Sequence, residues 1–256
     1  MGGGVRWTLT PDQFALAWDR TDGDRIPYPL AVRLSARTSD ERAKQLPELN
    51  EWCARVLDPD LEAALRVLAR PTIRVEVFGA QGPRPDSRPV RVLGAAAGHV
   101  TVVAAQRAGD SPDRGGEVRL FVGNSKTFAA RVVSVLPENG PGGAPRHTAP
   151  LDRVREDSRD LVTVPVAGPS TSARMRRLLK QPRDGIGQIV VSARRADDTV
   201  RPLGVLCWID VAGDGRYAVR TRAEVDIVPV TAEAFTAQLR PMITAAERLI
   251  ADGAHW

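Results

Sequence analysis

The sequence predicts an α+β fold, a mainly antiparallel sheet with helices packed against it. Three observations lead there. First, one unit occurs twice. Glu117–Val122 reads as a strand, followed by the polar Gly123–Asn124–Ser125 and a helical stretch anchored by Phe128. Glu224–Pro229 is likewise followed by Val230–Thr231–Ala232 and a helical stretch anchored by Phe235. The two align without a gap, placing Val118 on Val225, Leu120 on Ile227, Ala130 on Ala237 and Leu136 on Ile243. Second, a helix–Pro–strand pattern recurs upstream, as Leu65–Leu68–Pro71–Val75–Val77 and as Met175–Leu179–Pro182–Ile189–Val191. Third, successive strands are joined by short turns, which implies antiparallel pairing. The expectation is one domain with a pseudo-twofold internal repeat, its halves at about residues 1–138 and 151–256. Such a scaffold offers a broad surface more than a catalytic pocket.

In chain order, Val5, Trp7 and Leu9 alternate with polar residues as a short strand. Thr10–Pro11–Asp12–Gln13 has the cap, the first-turn proline and the reciprocal Gln of a capping box. Leu30, Val32 and Leu34 alternate as a second short strand. Thr38 and Glu41 open the next helix, which Pro47 should break or restart. Asp58–Pro59–Asp60 begins a third helix, with Leu61, Leu65 and Leu68 facing inward and Pro71 ending it. Strand Ile73–Phe78 is followed by a polar loop rich in Gly and Pro. Val90–Leu93 and His99–Ala104 form a hairpin. After the first copy of the repeated unit, Asn139–Pro150 reads as a linker between the halves. Beyond it come a charged segment, an apolar run Leu161–Val166 interrupted by Pro165, and a basic helix Thr171–Gln181. Strands Gln188–Ala193, Gly204–Val211 and Tyr217–Arg222 follow, the last two turning at Asp214–Gly215. Strand Glu224–Val228 and helix Thr231–Ala251 complete the pattern.

The 256 residues are 43% hydrophobic and 26% charged, ordinary for a soluble globular protein. No run approaches a membrane span, and Met1–Arg6 lacks a signal-peptide stretch, so a cytoplasmic location is expected. Cys53 and Cys207 are expected to be buried free thiols. The net charge is +5, with only three lysines among 36 basic residues. Carboxylates fall between most of the arginines, so the charge reads as a solvated surface first. His99, His147 and His255 stand apart, without metal-ligand spacing. Ser125 and Ser158 lack a nucleophile elbow, and Gly185–Ile186–Gly187 is no phosphate loop. Neither an enzyme, a cofactor nor a metal is expected.

Several segments resemble the EspG family of secretion-associated proteins. They are Tyr28–Pro29–Leu30, Leu57–Asp58–Pro59–Asp60–Leu61 running on to Pro71, Gly187–Gln188, Trp208–Ile209–Asp210 and Asp214–Gly215–Arg216–Tyr217. Their order and spacing extend the resemblance from about Val5 to about Leu249. It implies a central antiparallel sheet flanked by two helical subdomains. It also implies a cytoplasmic chaperone of a type VII (ESX) secretion system, which binds the helical tip of the PPE subunit of a PE–PPE heterodimer and keeps it soluble for export. Two features depart from the family pattern: the strong basicity, and a shorter chain with an abbreviated N-terminus.

By that resemblance the partner-binding residues would be Gln81, Arg84, Asp86 and Arg88 in the loop, and Met175 and Leu179 on the basic helix. Trp208 and Tyr217 on the hairpin, and Phe235 and Leu239 on the last helix, complete the set. Each has a plainer reading: a variable loop, a solvated helix face, or aromatic residues packed in a core. The alternative function is nucleic-acid binding by the basic helix, which carries Arg174, Arg176, Arg177, Lys180 and Arg183 with no acid among them.

Overall fold

The computed structural model describes residues 7–21, 25–155, 170–195 and 197–253. Leu161–Val166, Ser158 and His255 lie outside the described residues. The N-terminal region holds β1 (Trp7–Leu9), α1 (Pro11–Trp18), α2 (Ser39–Val56) and α3 (Pro59–Ala69). A meander follows: β2 (Ile73–Gln81), β3 (Arg88–Ala97), β4 (Val100–Ala108) and β5 (Gly115–Asn124), then α4 (Ser125–Ser134). The short β6 (His147–Pro150), α5 (Leu151–Arg155) and α6 (Thr171–Leu179) lead to a second meander. Its strands are β7 (Arg183–Arg194), β8 (Val200–Val211), β9 (Gly215–Thr221) and β10 (Glu224–Pro229), and α7 (Ala232–Gly253) ends it.

All ten strands form one sheet, in the order β1-β5-β4-β3-β2-β7-β8-β9-β10-β6, with every strand pair antiparallel. The two meanders join through β2 and β7, from Ile73 opposite Ala193 to Gln81 opposite Gly185. Outward from that pair, strand order runs alike in both directions, and each meander ends in a helix on the same face. At aligned positions of these helices burial also agrees: Phe128 and Phe235, Val132 and Leu239, and Leu136 and Ile243 are all buried.

Strand alternation decides what covers each face. On the first face, Val75, Val77, Val92, Val103, Ile189, Leu206 and Trp208 form one core with Phe128 and Val132 of α4 and Phe235 and Leu239 of α7. Fully burying a side chain of this size contributes about 1.5–3 kcal/mol. The second face has two separate covers. α1 and α3 pack Phe14, Trp18, Leu61 and Leu65 on Leu93, Val102, Val118 and Leu120. α6 packs Met175 and Leu178 with Ile209, Tyr217 and Ile227. This is the expected antiparallel sheet with two helical subdomains. Among the described helices, none is long and apolar enough to cross a membrane.

Local expectations held at the caps and failed at three places. The capping box of α1 forms, with Gln13 N–H donating to Thr10 Oγ1 and Thr10 N–H to Gln13 Oε1. Asp58 caps α3 through Leu61 N–H at 2.8 Å. Leu30–Leu34, however, joins no ladder. The side chain of Gln106 takes the partner's place, accepting from Ala31 N–H at 2.8 Å and donating back to its carbonyl at 3.2 Å. Pro47 does not break α2. Ala43, whose carbonyl loses its donor, is exposed, so water can satisfy it.

The third failure is Asn139–Pro150, which is an ordered strap. Its last residues are β6, paired with β10. Gly143 N–H donates to Asp214 Oδ1 at 2.7 Å, and Ala144 N–H to the Tyr217 hydroxyl at 2.8 Å. The Tyr217 hydroxyl in turn donates to Asp214. Beside the strap lies a buried ion pair. Arg216 donates from Nε to Asp210 Oδ1 at 2.7 Å and from Nη2 to Oδ2 at 2.8 Å. Nη2 also donates to the Pro137 carbonyl at 2.8 Å. Room for this stack comes from β7. A Cβ on Gly187 would lie 2.2 Å from the Trp208 ring, and one on Gly185 would lie 2.5 Å from an Asp210 oxygen.

Arg216→Met should cost about 3–5 kcal/mol, because it leaves Asp210 buried without its partner. Adding Asp210→Leu should recover much of that loss, as read from urea unfolding of both variants. A double variant no more stable than Arg216→Met would show that the pair does not act as a unit.

Burial, and then the bond to Asp214, push the Tyr217 hydroxyl up to about 12 from an ordinary 10. A raised value favours the neutral form in the folded state. Its contribution is therefore complete below about pH 10 and is lost as pH rises through about 12. Tyr217→Phe should cost about 1 kcal/mol at neutral pH and flatten that alkaline loss. Unfolding curves identical to wild type from pH 7 to 12 would disconnect Tyr217 from the strap.

Candidate partner-binding site

Between the two covers of the second face, strands β2, β7 and β8 are left open. Cross-strand rows there run Ala80–Ile186, Phe78–Gln188–Cys207 and Glu76–Val190–Val205. Ile186 is 40% exposed and Val205 49% exposed, unusual for apolar residues in the middle of a ten-stranded sheet. At the N-terminal wall, Tyr28 is 54% exposed and meets Phe78 edge-on at 5.1 Å between centroids. Burial raises the Tyr28 hydroxyl above its ordinary value, with Glu76 adding to the effect. Burial likewise raises Glu76, which Arg74 opposes at 3.7 Å. The other wall is α6. The result is an apolar saddle rimmed by charge.

The expected loop residues lie beside this saddle. Gln81, Arg84, Asp86 and Arg88 are all exposed at the β2–β3 tip. The base of the tip is fixed by Gly82 N–H donating to the Asp184 carbonyl at 2.6 Å, at the start of β7. Leu179 is partly buried at the end of α6.

The remaining expected contact residues are core. Met175, Trp208, Tyr217, Phe235 and Leu239 are buried, with no side-chain surface for a partner. Trp208 faces α7, where Phe235 meets it edge-on at 6.5 Å. Tyr217 points the other way but lies under α6. The correction is one of strand phase. Trp208 points to the sealed face, so its neighbour Cys207, and Val205 beyond it, point to the open one. Cys207 is accordingly only partly buried, not fully buried as expected, and burial raises its thiol. Cys53 is buried and free.

Tyr28, Phe78, Ile186, Val190 and Val205 were missed as surface residues. The available signal was an excess: β7 is apolar on both faces, at Ile186 and Val190 as well as Ile189 and Val191, while the helices suffice to cover only one face there.

The basic helix is less free than its sequence implies. Arg176 donates to the Arg153 carbonyl at 2.7 Å, and Arg183 to the Leu179 carbonyl. Arg174, Arg177 and Lys180 remain exposed. Among the described residues, no group of three His, Cys, Asp or Glu side chains is placed to hold a metal ion.

Among curated proteins none matches this chain in sequence. Among solved structures, the chain is similar to the Mycobacterium tuberculosis type VII secretion system chaperone EspG5, solved in complex with the PE25-PPE41 dimer. The TM-score is 0.61 at 18% identity, with 96% of each chain covered, so the shortening expected from the sequence is absent against that relative. The EspG family model matches residues 10–241, spanning both meanders and the saddle between them, and the chain therefore belongs to the EspG family.

Proposed function

We propose that this protein is a chaperone for a PPE-like client of a type VII secretion system, binding the client's helical tip across the open saddle. The observation that carries this reading is the apolar exposure of Ile186, Val205 and Tyr28 between the two helical covers of the second face. A helical tip laid across β2, β7 and β8 buries those residues. The β2–β3 tip then offers Arg84, Asp86 and Arg88 to its polar flank. Fitted between Tyr28 and α6, the client's own apolar side chains are withdrawn from association. Mass action favours the soluble complex, and neither catalysis nor a cofactor is needed. In this reading the protein works in the cytoplasm, before export. The two meanders are then an internal repeat within one domain, which the matching strand order outward from β2 and β7 supports.

Co-expression with a PE–PPE heterodimer from the same genome, followed by size exclusion, tests the reading directly. A stoichiometric complex supports it, and separate elution with aggregated client removes it. Within such a complex, Ile186→Glu with Val205→Glu should weaken binding by about tenfold or more, since each would place an unpaired charge in the interface. Both sites are exposed, so thermal stability should change little. Full retention of affinity would move the client off the saddle.

Arg84→Glu with Arg88→Glu should weaken binding less, slowing association and changing its salt dependence. Identical titrations with wild type and this variant would remove the β2–β3 tip from the site.

A further inference from the structure

We infer that an arginine-lined groove on the sealed-face side of the sheet binds an acidic polypeptide segment, at a second site separate from the saddle. The groove encloses about 870 Å³ where β3, β4 and β5 run out beyond the end of α4, and it continues round the strand ends to Arg33 and Arg91. Seven arginines and three carboxylates line it, and Asp113 pairs with one of the seven, Arg33, at 2.8 Å. Positive charge is still in excess here, on a chain whose net charge is +5.

Strand phase sets the walls. Val92, Ala105 and Arg119 lie in one cross-strand row, on the same face as Phe121. Arg131 reaches over from α4, its guanidinium 4.8 Å from the Phe121 ring centroid. Arg107 shares Glu117 at 3.4 Å, and both remain largely exposed. Arg119 is exposed and, among the described residues, has no carboxylate partner. The floor is apolar and the walls are guanidinium. Glu side chains match both, with aliphatic stems for the floor and carboxylates for the forks.

Nucleic acid fits less well. Binding a single strand draws on open aromatic faces for stacking. Phe121 is only 8% exposed and already lies beneath Arg131. A small anion would need converging donors, whereas these arginines are spread along the groove. The body of the groove, at Arg107, Arg119 and Arg131, lies on the opposite face from the saddle, while its rim reaches Gln81, Arg88 and Arg91 beside the β2–β3 tip and Tyr28. The inference therefore rests on Arg119 and its neighbours, which the client reading does not use.

The test is a fluorescence titration with three labelled probes: octaglutamate, octaglutamine and an eight-residue oligothymidine. Octaglutamate should bind saturably at low salt and weaken as salt rises. Arg119→Glu should reduce its affinity about fivefold or more, and Arg119→Gln by less. Arg174→Glu with Arg177→Glu on α6 should leave it unchanged. No saturable octaglutamate binding, tighter binding of oligothymidine, or an equal loss in the α6 variant would each overturn the proposal. With a PE–PPE complex bound, octaglutamate should still bind, weakened at most by the loss of Arg88 at the shared rim. Complete competition would place both on one surface and overturn the separation.

Discussion

The guanidinium of Arg216 is the point on which four otherwise separate segments close. Its side chain bridges Asp210 on β8 and the Pro137 carbonyl after α4. Its backbone N–H donates to the Gly140 carbonyl, and its carbonyl accepts from Gly142 in the strap and from Val230 at the entrance to α7. An ion pair this deeply buried contributes little net stability compared with a well-packed apolar pair, but removing either partner is costly. Its value here is placement. It fixes where the first meander's helix ends, how the strap crosses, and where the second meander's helix begins. Trp208, 6.0 Å from the same guanidinium, extends the stack to Phe235 and so into the core beneath α7.

The proposed function rests on what that core leaves over. A sheet of ten strands has two faces to cover, and α4 and α7 together seal the middle of one. On the other, the helices sit over the two flanks, resting on separate cores. The centre, where the meanders join through β2 and β7, is bounded by both covers and filled by neither. An apolar strip there is tolerated in the folded chain because its neighbours Glu76 and Gln188 are polar, but it gains by being covered. The rigid backbone pairing beneath it means that little ordering is needed on binding, which favours affinity at modest contact area.

Much of this architecture was legible in the sequence. The gapless match of Phe128 to Phe235 located two helices that pack into one core, while the matched Val118 and Val225 lie under different covers on the other face. The caps at Thr10 and Asp58 read directly because they are local chemistry. Features that depend on distant partners did not. The strap is rich in Gly and Pro and looks like a linker, yet Tyr217 and Asp214, more than 70 residues away, supply its hydrogen bonds. The Gly185–Ile186–Gly187 motif gave no chemistry, because its purpose is space for Trp208 and Asp210. Part of the candidate site was misplaced for a related reason. Trp208 was expected at the contact surface, but its size makes it a core anchor, and its smaller neighbour Cys207, one position away, faces the open side.

The two surfaces differ in the physics of release as well as in position. Burial of Ile186, Val205 and Phe78 is a hydrophobic contribution that salt hardly weakens. The arginine groove acts through charges near solvent, which are screened over about 8 Å at physiological ionic strength. On the two proposals together, one chain would hold an apolar client firmly while exchanging a charged segment rapidly. Such an arrangement suits a carrier that must keep its load through an encounter with a second protein. It also gives part of the basicity of this chain a place in the fold, as positive charge in excess along one groove.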